Sequence, residues 1–283
     1  MSVAGKVVVV TGGARGMGRA YVDGFLGKGA KVVALDMSWK TTGLSADRAD
    51  EFGSYLQGHD DALTLTCDIT DSEQIQEALA ETLKRFGAVD VLVNNANLLP
   101  SSQFPPTGDI KILDTADSDW EEAFRVSLFG TLKVTRAFIK PMLDQRSGSI
   151  IAVSSGGGNT APVGDGISWT ARRPYSREMP YQSAKAAVTA LFCYLADEVK
   201  DQNVAVNVIN PTGAVTTGWE EKVRGRQVLS GERPRPAARP EHVVPLALYL
   251  AEQNPSTATG RVFDTIPWNE ANGFGGMDVW AAN

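Results

Sequence analysis

Residues 6–18 read "KVVVVTGGARGMG", two signals run together. Four successive valines without polar alternation suit a strand buried on both faces, the habit of parallel sheets. The glycines that follow suit a tight turn into a helix, and "GRAYVDGFLGKG" (18–29) supplies one, with Tyr21, Val22, Phe25 and Leu26 to bury. Gly12, Gly16 and Gly18 let the backbone approach a pyrophosphate, and the first turn of the helix offers unpaired N–H groups at the positive end of its dipole. A plain structural turn would use the same glycines; their place between a first strand and a first helix favours a dinucleotide site.

Outward from this stretch, strand-like and helix-like runs keep alternating. Further strands are expected at 30–36, 62–68, 89–96, 148–155, 204–211 and 259–265, and helices from about Asp71 to Phe86, Asp117 to Leu143 and Tyr181 to Lys200. Asp71 is a candidate N-cap, and Gly87 the stop of the same helix. This order predicts an α/β fold of Rossmann type, a doubly wound parallel sheet in three α/β/α layers, with residues 1–283 forming a single domain without linker or repeat. Three stretches, 97–116, 156–179 and 212–239, look irregular and follow strands. They are therefore expected over the carboxyl ends of the sheet, where open α/β sheets bind ligands. The last, rich in proline and arginine, reads as an active-site flap.

Composition narrows the classes. Of 283 residues, 43% are hydrophobic and 21% charged, which suits a globular protein with a core. A net charge of −6 would repel the phosphates of nucleic acid. Cys67 and Cys193, far apart, make no disulfide framework and point to a reducing compartment. With two histidines, His59 and His242, and no Cys/His cluster, no metal site is expected. No stretch nears the ~20 apolar residues of a membrane span, and the start does not resemble a signal peptide, so a cytoplasmic protein is expected.

Asp36 closes the second strand, 18 residues after Gly18. A carboxylate there accepts hydrogen bonds from the adenosine ribose of NAD and repels the 2′-phosphate of NADP. Arg15 is a counter-signal, since a basic residue in the loop can meet a phosphate; NAD is nevertheless the preferred cofactor over NADP. Asp68 either bonds the adenine amine or simply begins the turn into "ITDS". In "YQSAK" (181–185), Tyr181 and Lys185 stand one helical turn apart on one face. Free tyrosine, with a pKa near ~10, is a poor base, and a neighbouring ammonium favours tyrosinate and makes it a competent general acid–base group. No other tyrosine of the chain has a lysine four residues on; Tyr175 has Met179 there.

In this order, "TGGARGMG", "CDIT", "NNAN", "SIIAVSS", "YQSAK" and "VNVINPTGAVTT" resemble the short-chain dehydrogenase/reductase family, in its single-domain NAD(P)-dependent branch, over roughly residues 5–265. The resemblance implies hydride transfer at a secondary alcohol or ketone, and a homo-oligomer, tetramer or dimer. It makes Tyr181 the general acid–base group and Lys185 its partner and a ribose ligand. Ser155, rather than its neighbour Ser154, becomes the serine that hydrogen-bonds the substrate oxygen. Cofactor contacts are implied in the first motif at Gly12, Arg15, Gly16, Met17 and Gly18, with Asp36 behind it. Asp68 and Ile69 of "CDIT" and Asn95 and Ala96 of "NNAN", where Asn94 opens the motif, carry others. Tyr181, Lys185, Pro211, Ala214 and Thr216 complete them. Three positions depart from the family. Asn97 replaces a glycine at a turn whose backbone angle asparagine tolerates better than most residues. Ser127 stands where an asparagine usually helps to build a proton-relay water site. Thr212 splits the usual Pro-Gly.

Ser155 and Tyr181 are 26 residues apart, about twice the family's spacing. The insert, with Trp169, Arg172, Arg173 and Tyr175, reads equally as a substrate- or subunit-contacting loop and as a tolerated surface insertion. Leu98, Leu99, Phe104 and Trp219 add apolar surface near the same place, so a bulky hydrophobic or aromatic secondary alcohol is expected. His242 reads as a surface residue near the start of a late helix. Trp268 and Trp280 lie in a tail, 266–283, that either packs on a neighbouring subunit or caps the active site. The rival reading is a catalytically idle dinucleotide-binding regulator. Ser155, Tyr181 and Lys185 speak against it, and Ser127 and Asn97 for it.

Overall fold

The valine run forms β1 (Val7–Thr11), every residue of which is buried. Val9 faces one hydrophobic core, and Val8 and Val10 the other, which is why the run shows no polar alternation. The computed structural model describes residues 2–41, 48–98, 112–155, 161–163, 166–168, 179–211 and 238–282. After β1 come β2 (Lys31–Asp36), β3 (Ala62–Thr66), β4 (Val91–Asn94) and β5 (Gly148–Val153). A small antiparallel pair, β6 (Ala161–Val163) and β7 (Gly166–Ser168), precedes β8 (Val204–Asn210) and β9 (Val262–Asp264). The main sheet has seven strands in the order β3-β2-β1-β4-β5-β8-β9, all parallel.

Helices cover both faces. On one lie α1 (Gly16–Leu26) and α2 (Ala49–Gln57); on the other, α3 (Ser72–Phe86), α4 (Asp117–Phe124), α5 (Thr131–Gln145) and α6 (Tyr181–Val199). Near the C-terminus, α7 (Val244–Leu250) returns to the face of α1, followed by α8 (Thr265–Ala271) and α9 (Met277–Trp280). This is a Rossmann-type three-layer fold. Among the described residues no helix is long and apolar enough to cross a membrane. Asp71 caps α3 by accepting from the N–H groups of Glu73 and Gln74, and Gly87 ends it at φ 78°.

Three expectations need correction, those for 117–143, His242 and 156–179, and one helix was not expected. The helix expected from Asp117 to Leu143 is interrupted by a π-helical turn, Arg125–Gly130. There Gly130 lies so close to Ile69 that a Cβ would sit 2.9 Å from its Cδ1. Helix α2 went unread because its buried side is only Ala49, Phe52, Gly53 and Leu56; Gly53, a poor helix former, makes room for the Trp39 ring. His242 is not a surface residue: it is 0% exposed, in a 3₁₀ turn (Pro240–Val243) packed against α1. The tail folds back on its own chain, with the Trp268 ring 5.0 Å from that of Tyr249 and 5.8 Å from that of Phe274. Of the stretch 156–179, the part described includes the β6–β7 pair rather than irregular chain alone.

Candidate active site

The glycine loop leaves β1 with Gly12 at φ +66° and Gly16 at φ +51°, angles that favour glycine. Gly18 is tighter still: a Cβ there would lie 1.8 Å from the Gly12 carbonyl oxygen. Asn95 fastens the loop from β4, its Nδ2 donating to the carbonyls of Thr11 (2.9 Å) and Gly12 (3.3 Å). The Thr11 hydroxyl accepts from the N–H groups of Asn95 and Ala96, both at 3.0 Å. No side chain caps α1 and no acidic residue stands in its first turn, so the positive end of the helix is left for an anion. Met17 packs its side chain on the core and has its backbone in that turn. These features fit a dinucleotide pyrophosphate.

At the end of β2 the Asp36 carboxylate accepts from Ala14 N–H and Ser38 N–H, each at 3.1 Å. Arg15 turns towards the same carboxylate, 3.6 Å away, and donates to the carbonyls of Ser38 (3.0 Å) and Lys40. Its guanidinium thus follows the turn after β2, so its value as a counter-signal falls. Asp68 accepts from Thr70 N–H at 2.8 Å, and so does open the turn. Ile69 is buried beneath Gly130. Asn97 adopts no positive φ, and its Nδ2 donates to the Asn95 carbonyl (3.2 Å), so the turn does not need the family's glycine.

The chemistry-bearing side chains sit just after β5, on α6 and in the π turn packed against α6. Ser154 is committed to structure: its hydroxyl donates to the Lys185 carbonyl (2.8 Å) and lies 2.6 Å from the Thr189 hydroxyl. Ser155, next to it and 8% exposed, has no such side-chain tie among the described residues. Tyr181 opens α6, half-buried, and Lys185 follows one turn later with its Nζ 5.8 Å from the Tyr181 ring centroid. Lys185 is 2% exposed and donates to the Val153 carbonyl at 2.8 Å, tying α6 to the end of β5. Burial pulls its pKa down from 10.5 to about 7. Ser127, in the π turn packed on α6, is 1% exposed, and its hydroxyl has no partner among the described residues. Asn94 Nδ2 donates to the Thr135 hydroxyl (3.0 Å), while its Oδ1 is likewise unpartnered.

Pro211 stands at the exit of β8, half-buried. Ala214 and Thr216 lie outside the described residues, as do Leu99, Phe104, Trp169, Arg172, Arg173, Tyr175, Thr212 and Trp219. The Thr11 hydroxyl, which joins β1 to β4, was not singled out in the sequence; a threonine between a valine run and a glycine loop was its only signal.

The family model for short chain dehydrogenase matches residues 6–227. Fluoren-9-ol dehydrogenase of Terrabacter sp. (strain DBF63) is 45% identical over 281 residues, covering 98% of this chain and 75% of that one. L-fucose dehydrogenase of Bos taurus is 31% identical over 258 residues, covering 88% of this chain and 84% of that one. The crystal structure of levodione reductase shares the fold, with a TM-score of 0.70 at 22% identity, over 92% of this chain and 96% of that one.

Proposed function

The chain belongs to the short-chain dehydrogenase family and is an oxidoreductase acting on alcohols, and from that premise we propose that it is an NAD-dependent dehydrogenase of bulky hydrophobic or aromatic secondary alcohols. The observation that carries the reading is the Tyr181–Lys185 pair on the first turn of α6, beside Ser155 and across from a glycine cradle. When bound, the dinucleotide supplies hydride exchange at the carbinol carbon. Tyr181 accepts the alcohol proton in oxidation and returns it in reduction. Ser155 donates a hydrogen bond to the substrate oxygen and steadies its charge. Lys185 favours the tyrosinate; a negative neighbour in turn offsets the burial that drives its own pKa to about 7. The Ser127 hydroxyl, without a partner among the described residues, carries the proton onward in place of the family's asparagine.

Asp36 supports NAD over NADP: two backbone N–H groups fix its carboxylate at the end of β2, where the adenosine ribose would lie. The likeness to fluoren-9-ol dehydrogenase supports a fused aromatic alcohol as substrate. We read the chain as one catalytic domain that self-associates in the cytoplasm; Leu113, Phe129 and Tyr194, exposed before α4, in the π turn and on α6, support self-association.

The test is turnover. Purified protein with NAD and a panel of aromatic and alicyclic secondary alcohols, fluoren-9-ol among them, should generate reduced-nicotinamide absorbance. Tyr181→Phe should cut the rate by ~10³ while NAD still binds. A wild type that binds NAD and oxidises no alcohol of the panel would leave the idle regulator as the better reading. Preference for NADP would overturn the role of Asp36.

A further inference from the structure

Lys185 is held at both ends by the chain that leaves β5. Its Nζ donates to the Val153 carbonyl (2.8 Å). Its own main-chain carbonyl accepts from the hydroxyl of the next residue, Ser154 (2.8 Å). A second hydroxyl joins this contact. Thr189, one turn further along α6, has its Oγ1 2.6 Å from the Ser154 oxygen and 3.2 Å from the same Lys185 carbonyl. Two hydroxyl protons serve three contacts, and both cannot lie on the line between the two oxygens. Whichever way they turn, the Lys185 carbonyl receives at least one of them. Ser154 is fixed from the other side as well, its N–H donating to the Ile209 carbonyl of β8 (2.8 Å). Ser154 and Lys185 are each 2% exposed, so a bond lost here is not replaced by one to bulk water.

We propose that Ser154 and Thr189 are positioning residues for the proton-transfer step. Tyr181 opens α6 and moves with that helix, whereas Ser155 and the Val153 carbonyl that holds Nζ belong to the end of β5. The hydroxyl pair joins these two bodies, one residue from Ser155 and one helical turn from Tyr181. It therefore sets where Tyr181 stands relative to Ser155 and to Nζ, which lies 5.8 Å from the Tyr181 ring centre. Neither hydroxyl has to touch the reacting atoms. A small slip of α6 along the sheet is enough to spoil the alignment of base, oxygen and ammonium. The dinucleotide cradle on β1 and Asp36 on β2 lie beyond β4 and take no part in this tie. The proposal rests on the alcohol-dehydrogenase reading above.

The test is steady-state kinetics of the full chain with NAD and an alcohol that the wild type oxidises, comparing Ser154→Ala, Thr189→Val and Thr189→Ser. Ser154→Ala should lower kcat about tenfold, with KM for the alcohol and NAD affinity within about twofold of wild type. Thr189→Val keeps the shape of the side chain and loses the hydroxyl; Ser154 still reaches the carbonyl, so kcat should fall about threefold. Thr189→Ser keeps the hydroxyl and loses a methyl group, and should restore kcat to near the wild-type value even where its melting temperature is lower. A purely structural pair gives another pattern, in which kcat follows melting temperature rather than the hydroxyl. Should Ser154→Ala not fold, the two Thr189 variants decide alone. Unchanged kcat in the variants without a hydroxyl overturns the proposal. So does a joint fall of kcat, NAD affinity and melting temperature. A wild type that oxidises no alcohol brings down the functional reading and this proposal together, whereas an active wild type with the wrong variant pattern overturns the proposal alone.

Discussion

On the β1–β4 side of the sheet the proposed cofactor site is built of backbone groups; on the β5–β8 side the proposed reacting groups are side chains, and the connections are long. The first region is fixed by glycine angles, by the Thr11 hydroxyl and by Asn95, all within hydrogen-bond reach of one another. The second spreads Ser155, Tyr181, Lys185 and Ser127 over the end of β5, α6 and the π turn, which the Lys185–Val153 bond and the Ser154 bridge help to tie together. A cradle of backbone tolerates almost no change of residue type. A set of reacting side chains tolerates changes around it, because long loops cost little to close and can vary. One fold can therefore keep its cofactor while its substrate differs.

The sharpest way to break this contrast is Gly18→Ala. The added methyl would lie 1.8 Å from the Gly12 oxygen, so the loop must move. Overpacking of this kind costs about 1–3 kcal/mol and more when backbone is struck, so NAD affinity should fall ~100-fold by calorimetric titration. Retained affinity would mean that the loop is not the cradle. Next in size is Asp36→Ala, which removes the carboxylate that Arg15 faces and leaves that guanidinium for a 2′-phosphate. The ratio of kcat/KM with NAD to that with NADP should drop at least ~tenfold, about 1.4 kcal/mol. An unchanged ratio would place cofactor choice elsewhere.

A smaller effect probes the reacting side. Ser127→Ala should lower kcat by ~tenfold, within the range of a positioned proton-transfer group, and leave NAD affinity alone. A structural role gives the opposite pattern. The hydroxyl has no partner among the described residues, so its loss from a buried site should leave thermal stability equal or higher. Unchanged kcat would end the relay assignment.

The same contrast explains what could be read from sequence. The glycine loop was legible because positive φ and close backbone approach need glycine, and the parallel sheet because strands and helices alternate along the chain. The Tyr181–Lys185 spacing was legible because α-helix geometry puts i and i+4 together. The π turn was not: "RVSLFG" looks like helix, and the bulge accompanies Gly130 meeting Ile69 from another strand's end. Helix α2 was hidden by Gly53, whose reason is Trp39, fourteen residues earlier. His242 was misplaced because residue type alone does not say whether a polar group is buried. Its partner, the Arg239 carbonyl, is a backbone atom that no side-chain pattern announces.

His242 also gives the smallest and most selective test, because it sits where the returning chain meets α1 and so joins the two regions. Its Nδ1–H donates to the Arg239 carbonyl (2.6 Å), and its buried Nε2 has no partner among the described residues, so the neutral ring is the stable form. Burial pulls its pKa from 6.5 to about 4. Between those values the unfolded chain takes up a proton that the folded protein refuses, so stability falls as pH falls through that window, by up to about 3 kcal/mol in total. His242→Gln can still donate to Arg239 and does not titrate. Denaturant unfolding at pH 6.5, 5.5 and 4.5 should therefore show a shallower loss in the variant, by up to about 1.4 kcal/mol per pH unit. Asp23 on α1, raised chiefly by burial and also by Glu241, contributes with the opposite sign, but equally in both proteins. It cancels in the comparison. Parallel curves would mean that water reaches the ring and that the joint between the two regions is looser than the packing of α1 against Pro240–Val243 implies.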